Sequence, residues 1–209
     1  MIRRVALVLA AFALLAAGCS SGGGDPSPSA SELINDGGSG PYQGFGLTPP
    51  QPRPSFSLTD TAGRAFSFGT VTAKHPTMLF FGYTNCPDVC PTTMAAVASA
   101  LREQQQVAKD TYVVFVTTDV KRDTGPVLAR WLANFSRGTA AHFVGLTGTQ
   151  AQVDAAQAAA HVTVAEDNGQ THSSKLLLFG PDDYARVAFA QSGRLQAQIA
   201  HDLPVVAKG

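Results

Sequence analysis

The stretch that most constrains the fold is a strand-like segment that leads, through a turn with two cysteines, into a helical pattern. Residues 77–81 form an apolar run of the kind found in strands that are buried on both faces, and Gly82 marks its end. Cys86 and Cys90 lie in the following turn. An Ala-rich helical pattern begins at Pro91, and proline is favoured at a helix start because the N–H that it lacks would have no partner there. The sequence therefore predicts a reactive loop at the corner between a buried strand and a helix.

Strand and helix patterns alternate along the rest of the chain. The predicted elements are a hairpin of residues 55–58 and 64–68, a helix at about 91–108, a strand at 112–117, a helix near 124–136, a short crossing at 144–148, a helix capped by Thr149 that runs to about residue 160, a hairpin of 175–179 and 186–190, and a last helix at 193–201. Buried strands that alternate with helices predict a βαβ unit and a parallel centre to the sheet. The expected fold is α/β and thioredoxin-like, with a central mixed sheet flanked by helices and an N-terminal β-hairpin.

The first residues have the pattern of an export signal. Arg3 and Arg4 precede the apolar run Val5–Ala17, which is shorter than the roughly 20 residues that span a membrane but suits the core of a signal peptide. The run ends in Leu15–Cys19, which looks like a bacterial lipobox, so we expect a lipid on Cys19. The alternative is an ordinary secretory signal in which Cys19 has no role.

The residues after Cys19 are rich in Gly, Ser and Pro as far as about Pro52. Such a composition cannot bury enough apolar surface to offset chain entropy. We therefore divide the chain into a lipoprotein signal peptide at 1–18, a flexible tether at 19–52 and one globular domain at 53–209. Without the signal, 13 basic and 15 acidic residues remain and no basic stripe is visible, which argues against nucleic acid as a partner.

Two of the three cysteines remain for chemistry once Cys19 is assigned to the lipid. Cys86 and Cys90 are four residues apart, so on a near-helical turn both sulfurs lie on one face and reach one metal ion or each other. The positive end of the following helix favours thiolates and lowers cysteine pKa values. An exported pair of thiols persists as a disulfide, a metal site or a redox pair, whereas the alternative is two inert thiols packed in the core.

The run FGYTNCPDVCP, residues 81–91, resembles the signature of the Sco (SenC) family, thioredoxin-fold copper proteins that serve cytochrome c oxidase assembly. Two later stretches also match. Asp119–Thr124 resembles the family's D-P-E-R-D-T, with Val and Lys in place of Pro and Glu, and Thr171–Ser174 opens the apolar run at 175–179. The segment before His172 is shorter than usual, and 181–183 lacks the family's glycine. Three motifs in one order are more specific than any one alone.

This resemblance implies a copper site with three ligands, Cys86, Cys90 and His172. One imidazole and two thiolates form a soft set that suits Cu(I), although the ligand types alone also fit zinc. Asp119 is expected near the ligands, where it orients His172 or tunes the local charge; its alternative is a turn aspartate, and the next motif residues, Asp123 and Thr124, look like a helix cap. The remaining soft or imidazole side chains are expected in the core, in solvent or at helix ends: Met78, Met94, His75, His142, His161 and His201. Of these, Met94 is expected on the helix surface near the site.

The leading hypothesis is a metallochaperone that is lipid-anchored on the extracytoplasmic face of the cell membrane. It would accept copper, as Cu(I) or Cu(II), from a source such as another copper chaperone and deliver it to the copper-receiving subunit of cytochrome c oxidase. Ligand exchange makes and breaks no bond in a substrate, so we expect a binding protein and not an enzyme.

The runner-up is a thiol–disulfide oxidoreductase that maintains the cysteines of a copper-receiving partner. Thioredoxin-type enzymes use C-x-x-C and place a cis-proline against it. This chain has C-x-x-x-C, and it has no proline between Pro126 and Pro181. A peroxidase of the peroxiredoxin type fits less well, because Cys86 lacks the Thr-x-x-Cys context with a partner arginine.

Overall fold

The computed structural model describes residues 40–166 and 173–209. Its strands are β1 (Phe45–Pro52), β2 (Ser57–Asp60), β3 (Ala65–Ser67), β4 (Thr77–Gly82), β5 (Tyr112–Thr117), β6 (His142–Thr147), β7 (Leu176–Phe179) and β8 (Tyr184–Phe189). Its helices are α1 (Phe68–Val71), α2 (Val89–Glu103), α3 (Gln105–Ala108), α4 (Gly125–Ser136), α5 (Gln150–Ala159) and α6 (Leu195–Val206). Within these residues the strands form one sheet in the order β1-β8-β7-β4-β5-β6-β2-β3.

The sheet is mixed, with a parallel centre. Strand β5 pairs parallel with both β4 and β6, whereas β7 pairs antiparallel with the other side of β4. The outer strands β8, β1, β2 and β3 all join by antiparallel pairing. The predicted α/β, thioredoxin-like sheet is therefore confirmed, and its parallel centre puts the carboxyl ends of β4 and β5 at the same edge.

Strand β4 is buried along its whole length because helices cover both faces of the sheet. Met78 and Phe80 face a cluster formed with α2, α4 and α6, and Leu79 and Phe81 face the other cluster, formed with β2, α1 and α5. Alternate residues of a strand point to opposite faces, so a strand between two helical layers must be apolar throughout.

Two helix boundaries bear on the site. Helix α2 begins at Val89, two residues before the predicted start at Pro91, so Cys90 lies in its first turn. Pro91 is tolerated there because N–H groups of a first turn have no intrahelical partner. Thr149 caps α5 as predicted: its hydroxyl accepts from the Gln152 backbone N–H, and its own N–H donates to the Gln152 side-chain oxygen. No helix in the described ranges is both long and apolar enough to cross a bilayer.

The predicted end of the tether at Pro52 is wrong. Phe45–Pro52 is strand β1, which pairs with β8, and Leu47 is buried in the core. The backbone N–H groups of Gln43 and Gly44 donate to the buried carboxylate of Asp202, each at 2.8 Å. The domain therefore starts before residue 45, because a short apolar alternation and a buried acceptor outweigh the Gly- and Pro-rich composition.

Two further elements differ from the prediction. Residues 57–60 and 65–67 do pair as β2 and β3, but β1 precedes them, so this hairpin does not open the domain. The predicted crossing at 144–148 is most of β6, a full strand that pairs parallel with β5. The signal peptide, Cys19 and His172 lie outside the described residues.

Candidate metal centre

The cysteine loop leaves the sheet at the edge where β4 and β5 both end. The carbonyl oxygen of Gly82, the last residue of β4, accepts hydrogen bonds from the backbone N–H of Thr118, at 2.8 Å, and from its hydroxyl, at 3.3 Å. The start of the loop is therefore fixed to the end of β5. Loops at the carboxyl ends of neighbouring parallel strands are a usual place for binding sites.

Cys86 and Cys90 are both present as thiols, and their side chains are hydrogen-bonded neighbours. The backbone N–H of Cys90 donates to Sγ of Cys86 at 3.4 Å. Cys86 lies in the turn just before α2 and is partly exposed, whereas Cys90 lies inside α2 and is fully buried. Two adjacent soft donors of this kind can share one Cu(I) ion or close a disulfide.

The two thiols differ in acidity. Burial alone would raise the pKa of Cys86, but hydrogen bonds from the N–H groups of Cys90, Asp88 and Val89 outweigh it and lower that pKa. Burial raises the pKa of Cys90 well above the usual range, and the nearby Cys86 and Asp123 raise it further, despite a hydrogen bond from the N–H of Tyr83. The expected helix-end effect therefore holds for Cys86, and it is wrong for Cys90.

The space behind Cys90 exists only because residue 82 is glycine. A Cβ atom on Gly82 would lie 2.7 Å from Sγ of Cys90, 3.0 Å from a ring carbon of Phe80 and 3.3 Å from a ring carbon of Phe115. The Phe115 ring in turn lies 4.7 Å, between centroids, from the indole of Trp131. The sequence marked Gly82 only as the end of a strand, so its part in seating Cys90 was missed.

The phenol of Tyr83 interacts with both cysteines and is hydrogen-bonded to Cys86. It is almost completely buried, and the pKa of its phenol is raised first by burial and then by the charge and hydrogen bonding of Cys86. No pattern in the sequence singled out this tyrosine, because a tyrosine after a strand is common.

Asp119 lies where the sequence put it, just after β5. Its side chain is nearly buried and forms an ion pair with Arg122, and its backbone N–H donates to the Thr117 hydroxyl at 3.0 Å. Its predicted action on His172 stays a prediction, because His172 lies outside the described residues. Within 40–166 and 173–209 no third His, Cys, Asp or Glu joins the two cysteines in a metal-binding group.

Asp123 does not cap α4. The residue before α4 is Thr124, whose side chain makes no capping bond, and the Asp123 carboxylate is instead fully buried beneath the cysteine loop. Its oxygens accept hydrogen bonds from Thr84 and Thr117. A carboxylate just before a helix usually caps that helix, so the sequence predicted that Asp123 would bond the start of α4 and not the two threonines.

The other methionine and histidine candidates have the following places among the described residues. Met94 belongs to the buried cluster that contains Cys90, so its expected place on the helix surface is wrong, and Met78 is in the core as expected. Three histidines contact other groups: His75 the carbonyl of Asp110, His142 the ring of Tyr112 and His201 the carboxylate of Asp202.

Comparison with known proteins matches residues 47–207 to the SCO1/SenC family profile. Protein SenC of Rhodobacter capsulatus is 37% identical over 101 residues, which are 48% of this chain and 43% of SenC. The chain spans between 38% and 66% of the lengths of the first curated relatives that it matches.

Solved structures match a larger share of the chain. The copper-bound structure of Bradyrhizobium japonicum ScoI is 29% identical, with a TM-score of 0.61 over 74% of this chain and 98% of ScoI. BsSco, in which a disulfide switch was identified, is 19% identical, with a TM-score of 0.63 over 76% of this chain and 96% of BsSco. The likeness to BsSco concerns the fold alone; BsSco is described as a member of the Sco family of cytochrome c oxidase assembly proteins.

Proposed function

Because the chain belongs to the SCO1/SenC family, we propose that it is a copper metallochaperone that delivers its metal to a copper-receiving subunit of cytochrome c oxidase during assembly. A copper-bound relative and the description of BsSco as an oxidase assembly protein support the metal and the process. The observation that carries the proposal is the contact between the two thiols, in which the N–H of Cys90 donates to Sγ of Cys86. His172 is the proposed third ligand.

The chemistry of the two sulfurs suits the transfer of a soft ion. The pKa of Cys86 is lowered, so this partly exposed thiol gives up its proton to a metal more readily than Cys90, whose pKa is raised by burial. A partner's thiolate or imidazole can replace the accessible ligand first and the buried one last. The cargo leaves by ligand exchange, and the protein acts as a binding protein and not as an enzyme.

The proposed location is the extracytoplasmic face of the cell membrane, with a lipid on Cys19. Support comes from the sequence of the first nineteen residues, which has a basic start, a short apolar core and small residues before Cys19. A membrane-held domain would meet a membrane-bound oxidase subunit, and another copper chaperone would supply the metal. The intact mass of the mature protein tests this: cleavage at another site, or an unmodified Cys19, contradicts it.

The decisive experiment is an anaerobic Cu(I) titration of the reduced protein. We expect one Cu(I) per chain, and strongly weakened binding in Cys86→Ser, Cys90→Ser and His172→Ala, since three ligands leave no redundancy. His75→Ala is the matched control, because His75 contacts the carbonyl of Asp110 and should leave binding unchanged. Unchanged affinity in His172→Ala would refute the ligand assignment, and tighter binding of Zn(II) than of Cu(I) would refute copper as the cargo.

One observation favours a thiol–disulfide oxidoreductase as the second candidate. A surface thiol with a lowered pKa beside a buried thiol with a raised pKa is the arrangement of an attacking and a resolving cysteine. The Cys86 thiolate would attack a partner disulfide, and Cys90 would then release the partner as a dithiol while Cys86 and Cys90 become the disulfide. Rapid reduction of insulin disulfides by the metal-free protein, with weak Cu(I) binding, would favour this candidate over the chaperone.

A further inference from the structure

The cysteine loop is attached to a side chain that belongs neither to the sheet nor to α2. It is the side chain of Asp123, which has no exposed surface. One carboxylate oxygen accepts the Thr84 hydroxyl at 2.6 Å, and the other accepts the Thr84 backbone N–H at 2.9 Å and the Thr117 hydroxyl at 2.6 Å. We call Asp123, Thr84 and Thr117 the Asp123 clamp.

The clamp joins two parts of the chain that are 39 residues apart. Thr84 lies two residues before Cys86, and Thr117 is the last residue of β5. Charge-assisted hydrogen bonds of this length are among the stronger ones in proteins, and a buried carboxylate that lost them would be left with a large desolvation cost. The loop position next to Cys86 is therefore fixed to the rigid centre of the sheet.

The clamp adds to contacts at the two ends of the loop. Its start is held through Gly82 and Thr118, and its end is held because Cys90 is packed in the core as part of α2. Cys86 lies between these ends and is the partly exposed member of the pair. Cys86 packs against the core, and its Sγ accepts from the N–H of Cys90. The clamp adds a fixed point two residues before it, at Thr84.

We propose that Asp123 is a positioning residue for the Cys86–Cys90 pair: through Thr84 it holds Cys86 in the place where both sulfurs can act on one ion or on each other. The metal-binding part of this proposal rests on the proposed copper function. The part that concerns the arrangement of the two thiols is independent of that function, and it can be measured without metal.

The expected effect follows from the entropy of the loop. Groups that orient metal ligands from behind commonly contribute about 10- to 100-fold to metal affinity, because a preorganised site does not have to be ordered by the metal. Disulfide formation between the same two thiols gains from preorganisation in the same way. Loosening the loop should therefore weaken Cu(I) binding and disfavour the disulfide together.

The test compares Asp123→Ala with Asp202→Ala in the whole protein. Asp202 is a matched control because it is equally buried and also ties distant segments together, but its hydrogen bonds go to Gln43, Gly44 and His201. Cu(I) affinity is measured by competition with bathocuproine disulfonate. The metal-free pair is equilibrated with glutathione, whose disulfide takes up the two electrons and two protons that the thiols lose as it becomes two thiols.

We expect Asp123→Ala to lower Cu(I) affinity about 10- to 100-fold and to lower the equilibrium constant for the Cys86–Cys90 disulfide about tenfold, which is about 30 mV. In the folded protein, Asp202→Ala should change the Cu(I) affinity and the disulfide equilibrium constant by no more than about twofold each. Asp123→Asn should restore most of both values, since its amide oxygen can accept two of the bonds and its NH2 can donate to the Thr84 hydroxyl. Equal shifts in the two alanine variants, or none in Asp123→Ala, would overturn the proposal.

A second pair of variants serves if Asp123→Ala does not fold. Thr84→Val removes one hydroxyl of the clamp, and Thr84→Ser keeps it, so only the valine variant should shift the glutathione equilibrium. Identical equilibria in the two variants would overturn the proposal. Because the glutathione measurement uses no metal, it decides the positioning role even for a protein that bound no copper, and failure of the wild type to bind Cu(I) would count against the proposed function alone.

Discussion

The outer cysteine, Cys86, and the inner cysteine, Cys90, occupy very different surroundings although they are separated by one helical turn. The sulfur of Cys86 accepts hydrogen bonds from N–H groups at the start of α2, and this residue is partly exposed. The sulfur of Cys90 packs beside Gly82 within the buried core. Their spacing explains why they meet. Their difference in burial comes from their places at the edge of the sheet: Cys86 lies in the loop and is partly exposed, whereas Cys90 lies in α2 and is buried.

This difference separates two tasks within one metal site. An accessible thiolate suits the capture and release of a soft ion, because a partner can reach it. A buried thiol binds only when it is deprotonated by the metal, so it suits retention. A pair with equal exposure would offer no order of ligand exchange.

The largest expected difference between the two cysteines is in their rates of alkylation. In the reduced, metal-free protein at pH 7.5, we expect iodoacetamide to modify Cys86 about a hundredfold faster than Cys90, because Cys86 has the lower pKa and Cys90 must first be exposed by local opening. Peptide mapping by mass spectrometry over time gives both rates. The ratio should fall to near one in guanidinium chloride, and similar rates in the native protein would contradict the comparison.

Gly82→Ala should reduce the difference in alkylation rate between the two cysteines by disturbing the packing around Cys90. Its Cβ would lie 2.7 Å from Sγ of Cys90, so the helix start has to shift, at a cost of about 1–3 kcal/mol in unfolding free energy. Urea unfolding measures the loss, and alkylation should become faster at Cys90 but not at Cys86. Gly46→Ala is the control, since a Cβ there meets nothing within 4 Å; an equal loss in both variants would refute the packing argument.

The pH dependence of stability should have opposite signs for the two thiols. The folded pKa of Cys90 is raised, so its contribution is complete below the unfolded value of about 8.5 and is lost above it, by about 1 kcal/mol between pH 8.5 and 9.5. The folded pKa of Cys86 is lowered, so its contribution is present above the unfolded value and is lost as the pH falls through the folded one. Urea unfolding of reduced Cys90→Ala should lack the alkaline loss, and Cys86→Ser should keep it. A wild-type slope in Cys90→Ala would contradict the assignment.

The smallest expected effect concerns Thr93, one turn beyond Cys90 in α2. Its buried hydroxyl has no hydrogen-bond partner among the described residues, so Thr93→Val should leave stability unchanged or raise it by up to about 1 kcal/mol. Thr72→Val is the contrast, because the Thr72 hydroxyl bonds the carbonyl of Phe68 and the guanidinium of Arg53. Thermal unfolding compares the two, and a clear loss in Thr93→Val would reveal an unrecognised role for that hydroxyl.

The parts of the fold that the sequence predicted are those with long, uniform patterns. Strands β4 and β5 are largely apolar and almost fully buried, and the Thr149 cap has its partner three residues away. Strand β6 was missed because Gly145 weakens its pattern, yet glycine is needed there: a Cβ would lie 2.8 Å from Leu132 of α4. Strand β1 was missed because three of its eight residues are proline.

The features of the site also divide into those that the sequence predicted and those that it did not. The two cysteines and their contact follow from local spacing. The unequal burial of the cysteines depends on Gly82 and Phe115, and the function of Asp123 depends on a threonine 39 residues earlier. Such long-range partners leave no periodic signal in one sequence, and a local alternative, the helix cap, competes with them.

The aromatic contact behind the inner cysteine gives the protein an optical reporter of its own. Trp131 is the only tryptophan in the chain, and its indole touches Phe115, the ring that limits the space at Gly82. Cys90 and Phe115 belong to the buried cluster against which Trp131 packs, so we expect a shift of Cys90 to reach this single fluorophore. Emission from that indole, followed by stopped flow, should time each arrival and departure at the sulfurs without any attached label.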